Sequence, residues 1–96
     1  MNPNMLNKLK KIQKQMMEAQ EALERKEFFG KASGVTVIMQ GTRQVIDVEI
    51  NPEILEELEL LQDAILLAVN DALKQIDKEQ EDTMGQFSGG MGGFGF

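Results

Sequence analysis

Neither cysteine nor histidine occurs anywhere in the chain, and tryptophan and tyrosine are missing as well. Without cysteine no disulfide can staple the fold, and without thiolate or imidazole a zinc site loses its usual ligands. The same gaps thin out catalysis. A hydrolytic triad needs a histidine-like base, and the only two serines, Ser33 and Ser88, stand in glycine-rich stretches. No run of about 18 apolar residues exists, so no segment reads as a membrane span. The stretch from Met5 to Met17 is interrupted by charge and has no apolar signal-peptide core, so a cytoplasmic protein is expected. Enzyme activity, a small-molecule substrate, a metal and a cofactor are all unexpected from this inventory.

What is present has to build a core from few residues. The chain has 96 residues, and the last thirteen, MGQFSGGMGGFGF, are dominated by glycine. A single domain over residues 1–83 and a flexible Gly/Phe/Met-rich tail over 84–96 are therefore expected. A domain this small buries only about 60% of the surface its unfolded chain exposes. With disulfides and metals excluded, self-association is the remaining way to make up the deficit, and a homodimer is expected.

Charge is distributed unevenly. Residues 1–50 carry eight Lys/Arg against six Asp/Glu, whereas residues 51–96 carry two against ten. The first 17 residues hold Lys8, Lys10, Lys11 and Lys14 and no acid. The net charge of −6 thus conceals a basic end, whose local field is what a polyanion would meet.

Periodicity divides the chain into helix, strands and helix. From Asn2 to about Lys26 the positions Met5, Leu9, Ile12, Met16, Ala19 and Leu23 recur in steps of four and three, a narrow seam suited to one partner helix. The lysines fall off this seam, and Glu18, Glu21, Glu24 and Glu27 follow them. A helix that is basic at its start and acidic later runs against its own dipole, which hints that the lysines serve something other than helix stability. Gly30, Ser33 and Gly34 break the pattern. Val35–Met39 and Val45–Ile50 then read as a β-hairpin around Gly41-Thr42-Arg43, with Ile46, Val48 and Ile50 on one face and Asp47 and Glu49 on the other. Phe28 to Ser33 is expected to add a shorter third strand. Asn51-Pro52-Glu53 carries helix-start chemistry, and the helix after it is apolar on several sides over Leu60–Leu73, so more than one neighbour must cover it. Leu61, Ile65, Ala68, Val69, Asn70, Ala72 and Leu73 are its expected core and dimer residues. Asp77 to Asp82 is expected to fray. The fold class is α+β: two long helices flanking a small antiparallel sheet of two or three strands.

The residues alone leave two readings of the lysines open, a solvated helix face or a phosphate-contacting patch that dimerisation would double, with Arg25, Lys26, Lys31 and Arg43 as possible additions. The tail likewise reads either as solvated chain or as a segment whose Phe87, Phe94 and Phe96 contact a partner. The Asp47/Glu49 pair is a solvated strand face.

The run from Leu61 to Ala72, LQDAILLAVNDA, together with Val48-Glu49-Ile50-Asn51-Pro52-Glu53, Gly41, the Met- and Gln-rich first helix and the Gly/Met tail, resembles the YbaB/EbfC family of bacterial nucleoid-associated proteins. That resemblance implies a helix–sheet–helix fold, a homodimer with projecting helical arms, double-stranded DNA as partner and a place on the nucleoid. It favours the phosphate-contacting reading of Lys8, Lys10, Lys11 and Lys14, and it gives Asn70 and Asp71 a helix-packing or dimer-bonding role. The chain departs from the family pattern where a lysine-bearing strand reads Val35-Thr36-Val37, where the hairpin keeps only Arg43, and where the approach to the hairpin is trimmed to Ala32-Ser33-Gly34. DNA contact should then rest mainly on the first helix. The competing expectation is a non-catalytic protein–protein adaptor that uses the acidic C-terminal half and the Phe/Gly tail.

Overall fold

A computed structural model of the chain describes residues 2–92, with side chains to Phe87. Helix α1 spans Pro3–Arg25, strands β1, β2 and β3 span Glu27–Ala32, Val35–Gln40 and Val45–Ile50, a 3-10 turn covers Pro52–Ile54, and helix α2 spans Leu58–Gly92. The three strands form one antiparallel sheet in the order β1-β2-β3. The principal extents of the chain are 67 × 27 × 11 Å and its radius of gyration is 19.1 Å. About 13 Å is usual for a compact chain of 100 residues. The excess length lies in the two helices, which project beyond the sheet.

The core is a single layer of helix on sheet. In β1 and β2 alternate residues face α2: Phe28 and Gly30 from one, Val35, Val37 and Met39 from the other, paired as Phe28↔Met39 and Gly30↔Val37. Against them α2 presents Ala64, Ala68, Ala72 and Ile76, all buried and spaced four apart. Alanine lets the helix backbone sit close to the sheet. At Gly30 the approach is tightest, since a Cβ there would collide with the Ala68 carbonyl oxygen and lie 2.7 Å from the Ala72 nitrogen. Leu23 closes the end of the core from α1.

Several expectations are corrected. The third strand is as long as its neighbours, at six residues. Asn51-Pro52-Glu53 does not open the long helix: the Asn51 side chain accepts the Glu53 N–H at 3.0 Å and caps only the 3-10 turn. The chain must still turn back over the sheet, and α2 starts at Leu58 after a bend held by the Glu57 N–H donating to the Ile54 carbonyl. In β3 the alternation is broken, because Ile38 pairs with Asp47 and Met39 with Val45, leaving Ile46 as a bulge without a cross-strand partner. Val45, Val48 and Ile50 therefore lie across from Met39, Val37 and Val35. Helix α2 also continues through Asp77–Asp82, where fraying was expected, and runs past Met84 to Gly92. Extending an existing helix needs one hydrogen bond per residue and no new nucleus. Residues 93–96 lie outside the described part.

Helix α2 covers β1 and β2 and leaves most of β3 beyond its margin. Val45, Ile46 and Val48 are each more than 40% exposed, and Leu58, Leu66 and Leu67 on α2 more than 55%. The circumference of α2 that the sequence marks as needing a second neighbour is uncovered within one chain.

Candidate nucleic-acid interface

The basic end of the molecule is set up by the start of α1. Asn2 is its N-cap, with Oδ1 accepting the Met5 N–H at 2.7 Å, and Pro3 follows at the first helical position, where the missing N–H costs nothing. No acid stands in that first turn. The positive end of the helix dipole and Lys8, Lys10, Lys11 and Lys14 therefore add, with nothing in the first four turns to offset them. At 3.6 residues per turn the four lysines occupy an arc of roughly 160°, centred about 140° away from the seam. The seam faces α2 and the lysines face outward. All four are exposed, and among the described residues none makes an ion pair.

The other cations expected at the site are placed differently. Lys26 pairs with Glu79 of α2 and also lies 5.4 Å from the centroid of the Phe28 ring. Arg43, held at a positive φ of 71° in the hairpin turn, pairs with Asp77 and reaches Gln80 at 3.4 Å. Both pairs are half-exposed, so each is worth roughly 0.2–1 kcal/mol of stability, but each neutralises the charge that was to meet DNA. Arg25 shares the outer face of α1 with Lys11 and Lys14, yet Glu18 and Glu21 stand between them along that face. Lys31 sits near the opposite end of β1, away from the four. The structure thus brings together Lys8, Lys10, Lys11 and Lys14, and it sets Arg25, Lys26, Lys31 and Arg43 apart from them.

Asp71 has a packing role within the chain. Its Oδ2 accepts the backbone N–H of Lys31 at 3.0 Å and the Gln75 side-chain amide at 3.2 Å, while that same amide donates to the Phe29 carbonyl at 2.8 Å. Asp71 and Gln75, one helical turn apart, occupy the outward hydrogen-bonding groups of edge strand β1 and so cover an edge that could otherwise recruit another strand. Sequence reading missed Gln75, because nothing in its spacing separates it from the other polar residues of α2. Asn70 points to solvent and makes no hydrogen bond among the described residues. Of the remaining core and dimer set, Ala68 and Ala72 are buried, Leu61, Val69 and Leu73 pack half-buried at the core margin, and Ile65 is exposed.

None of the α-helices is long and apolar enough to cross a membrane among the described residues. The chain is 44% identical over 94 residues to a nucleoid-associated protein of Enterococcus faecalis, covering 94% of this chain and 90% of that one. It is 47% identical to another from Oceanobacillus iheyensis, covering 95% and 94%. An uncharacterized Helicobacter pylori protein, HP0035, has the same fold in its crystal structure, with a TM-score of 0.72 at 21% identity over 90% of this chain and 96% of that one. Residues 1–91, from the lysine-bearing arm through the helical end of α2, match the profile of one family, and this chain belongs to it: the YbaB/EbfC DNA-binding family.

Proposed function

We propose that this protein binds double-stranded DNA as a homodimer, gripping phosphates with Lys8, Lys10, Lys11 and Lys14 of two α1 arms, and that it helps organise the bacterial nucleoid without catalysing a reaction. The observation that carries this reading is the unpaired lysine face turned away from the helix seam. Those lysines span seven residues, a rise of about 9 Å along the helix, which matches two to three phosphates along one strand. One arm is a weak grip. Two arms bring eight lysines to the duplex. Lysine contacts to phosphates carry no base readout, so sequence preference would be slight.

A second copy of the chain is what would bring the arms together. The edge of β1 is capped by Asp71 and Gln75, whereas β3 presents an open edge with Val45 and Val48 exposed beside it, and Leu58, Leu66 and Leu67 of α2 are exposed as well. Apolar area on this scale rimmed by acids marks an interface in a protein this small. Val48→Asp buries a charge in that surface and should convert the dimer to monomer in light scattering, while the helix content by circular dichroism stays unchanged. A dimer of undiminished mass would exclude β3 from the interface.

Anisotropy of a labelled 30-base-pair duplex, titrated with protein at several salt concentrations, tests the DNA reading. Contacts to about six to eight phosphates predict a linear fall of log affinity with log salt and a loss of roughly 10³–10⁵ between 50 and 200 mM. Absence of binding at 50 mM salt by protein shown to be dimeric would overturn the proposal in favour of the adaptor function.

A further inference from the structure

The turn that joins β2 to β3 takes its positive φ at Arg43 and not at Gly41. The conformation of the turn therefore does not ask for glycine at position 41. Gly41 is nonetheless buried, and what it abuts is the last turn of α1. A Cβ there would collide with the Leu23 carbonyl oxygen, lie 2.7 Å from the Leu23 carbonyl carbon and come to 3.0 Å from the Glu24 Cα. The same residue holds the end of the helix. Its N–H donates to the Lys26 carbonyl at 2.9 Å, while the Lys26 N–H closes the helix on the Leu23 carbonyl at 3.2 Å. From the other side Lys26 is tied to Glu79 of α2 and lies over the Phe28 ring. The root of the lysine arm is thus held where α1, the hairpin turn and α2 meet.

We infer that Gly41 and Lys26 are positioning residues for the lysine arm: they seat α1 backbone against backbone on the hairpin turn and so fix the direction in which Lys8, Lys10, Lys11 and Lys14 project. Their part in DNA binding rests on the proposed function, whereas the joint itself does not. Of the parts in contact, α1 is the one that yields to an added side chain. The turn is pinned, with the Gln40 N–H donating to the Gln44 carbonyl at 2.9 Å, the Arg43 N–H to the Gln40 carbonyl at 2.8 Å, and the Arg43 side chain paired with Asp77. Helix α1, by contrast, buries only Leu23. A methyl group at position 41 has to push the Leu23 carbonyl carbon from 2.7 Å to about 3.5 Å, ordinary contact. With Lys26 as pivot, about 4.5 Å further along the axis, the helix swings by roughly 10°. Lys10 lies about 24 Å from that pivot and moves by about 4 Å. Successive phosphates of one strand are about 3.4 Å apart along the duplex axis. A small change at the root therefore shifts the grip by a whole phosphate.

The test separates geometry from binding. Spin labels on Asn7→Cys, exposed on the arm, and on Gly85→Cys, whose Cβ meets nothing within 4 Å, report the direction of the arm by pulsed EPR. Labelled full-length chains are diluted into unlabelled ones, so that only distances within a chain are read. Gly41→Ala should displace this distance by several ångström with helix content unchanged by circular dichroism. Lys26→Gln, which removes a charge and no core residue, should broaden it. An unmoved distance in folded Gly41→Ala would overturn the inference, and if that variant does not fold, an unchanged distribution in Lys26→Gln would do so. On DNA, Gly41→Ala keeps all four lysines yet should lose about tenfold or more in affinity at 50 mM salt, because misplacing even one phosphate contact costs roughly fifteenfold. A displaced arm with undiminished affinity would refute the positioning role. Failure of the parent chain to bind the duplex would instead sink the DNA reading, and the distances alone would then decide the joint.

Discussion

Reversing two charges on α1, Lys10→Glu with Lys14→Glu, should lower affinity for a 30-base-pair duplex by about 10⁴–10⁵-fold at 50 mM salt. The magnitude follows from counterion release. Each phosphate contact contributes a slope of about −0.9 to log affinity against log salt, or roughly fifteenfold between 1 M and 50 mM. Two lysines lost from each of two chains remove four contacts, and the new glutamates add repulsion. The slope itself should flatten by about four, which anisotropy titrations at several salt concentrations will report. Both positions are solvent-exposed and off the seam, so thermal stability should change little. The informative comparison is Lys26→Glu. That lysine already faces Glu79, and its reversal should cost far less DNA affinity than the Lys10/Lys14 pair. Equal losses from the two variants would mean that the whole basic half of the chain, rather than the arm, meets the polyanion.

Gly30→Val should abolish cooperative folding. Gly30 is buried under α2, and any Cβ there collides with the Ala68 carbonyl oxygen and comes within 2.9 Å of the Ala72 Cβ. The obstacle is helix backbone, which cannot rotate away as a side-chain end can. Overpacking a core by a methylene or two commonly costs about 1–3 kcal/mol. A clash that forces α2 off β1 also breaks the hydrogen bonds that Asp71 and Gln75 make to that strand. A domain of this size holds only about 5–14 kcal/mol in total. Gly30→Ala should lower the thermal midpoint by about 10–20 °C, at roughly 4–8 °C per kcal/mol for a small domain, and Gly30→Val should show no transition by circular dichroism. Gly85→Ala is the matched control. Nothing lies within 4 Å of its Cβ position, so alanine there should be neutral or slightly stabilising through helix propensity.

Local features were legible from residue order. Steps of four and three from Met5 to Leu23 specify a helix with a narrow seam, because side-chain direction in a helix depends only on position along the chain. The β-branched runs Val35–Met39 and Val45–Ile50, with Gly41 between them, specify a hairpin for the same kind of reason. The clustering of Lys8, Lys10, Lys11 and Lys14 on the outer face of α1 is also a property of order alone.

Tertiary structure decided everything that depends on distance through space. Lys26 and Lys8 are equivalent as letters, yet Lys26 is neutralised by an acid 53 residues away while Lys8 is not. Arg43 looks like the last basic residue of a DNA-facing hairpin until Asp77, 34 residues later, is found beside it. The bulge at Ile46, the late start of α2 at Leu58 and the capping of β1 by Asp71 and Gln75 all arise from fitting a long helix over a twisted sheet. Each element also had a preference that this fit overrode: proline chemistry at Pro52 for a helix start, alternation in β3 for a regular strand. Residue order determines what each segment favours in isolation. Which charges are cancelled, which edge is closed and which apolar face stays open is set by packing, because electrostatic and hydrogen-bond energies fall off with separation in space and take no account of separation along the chain.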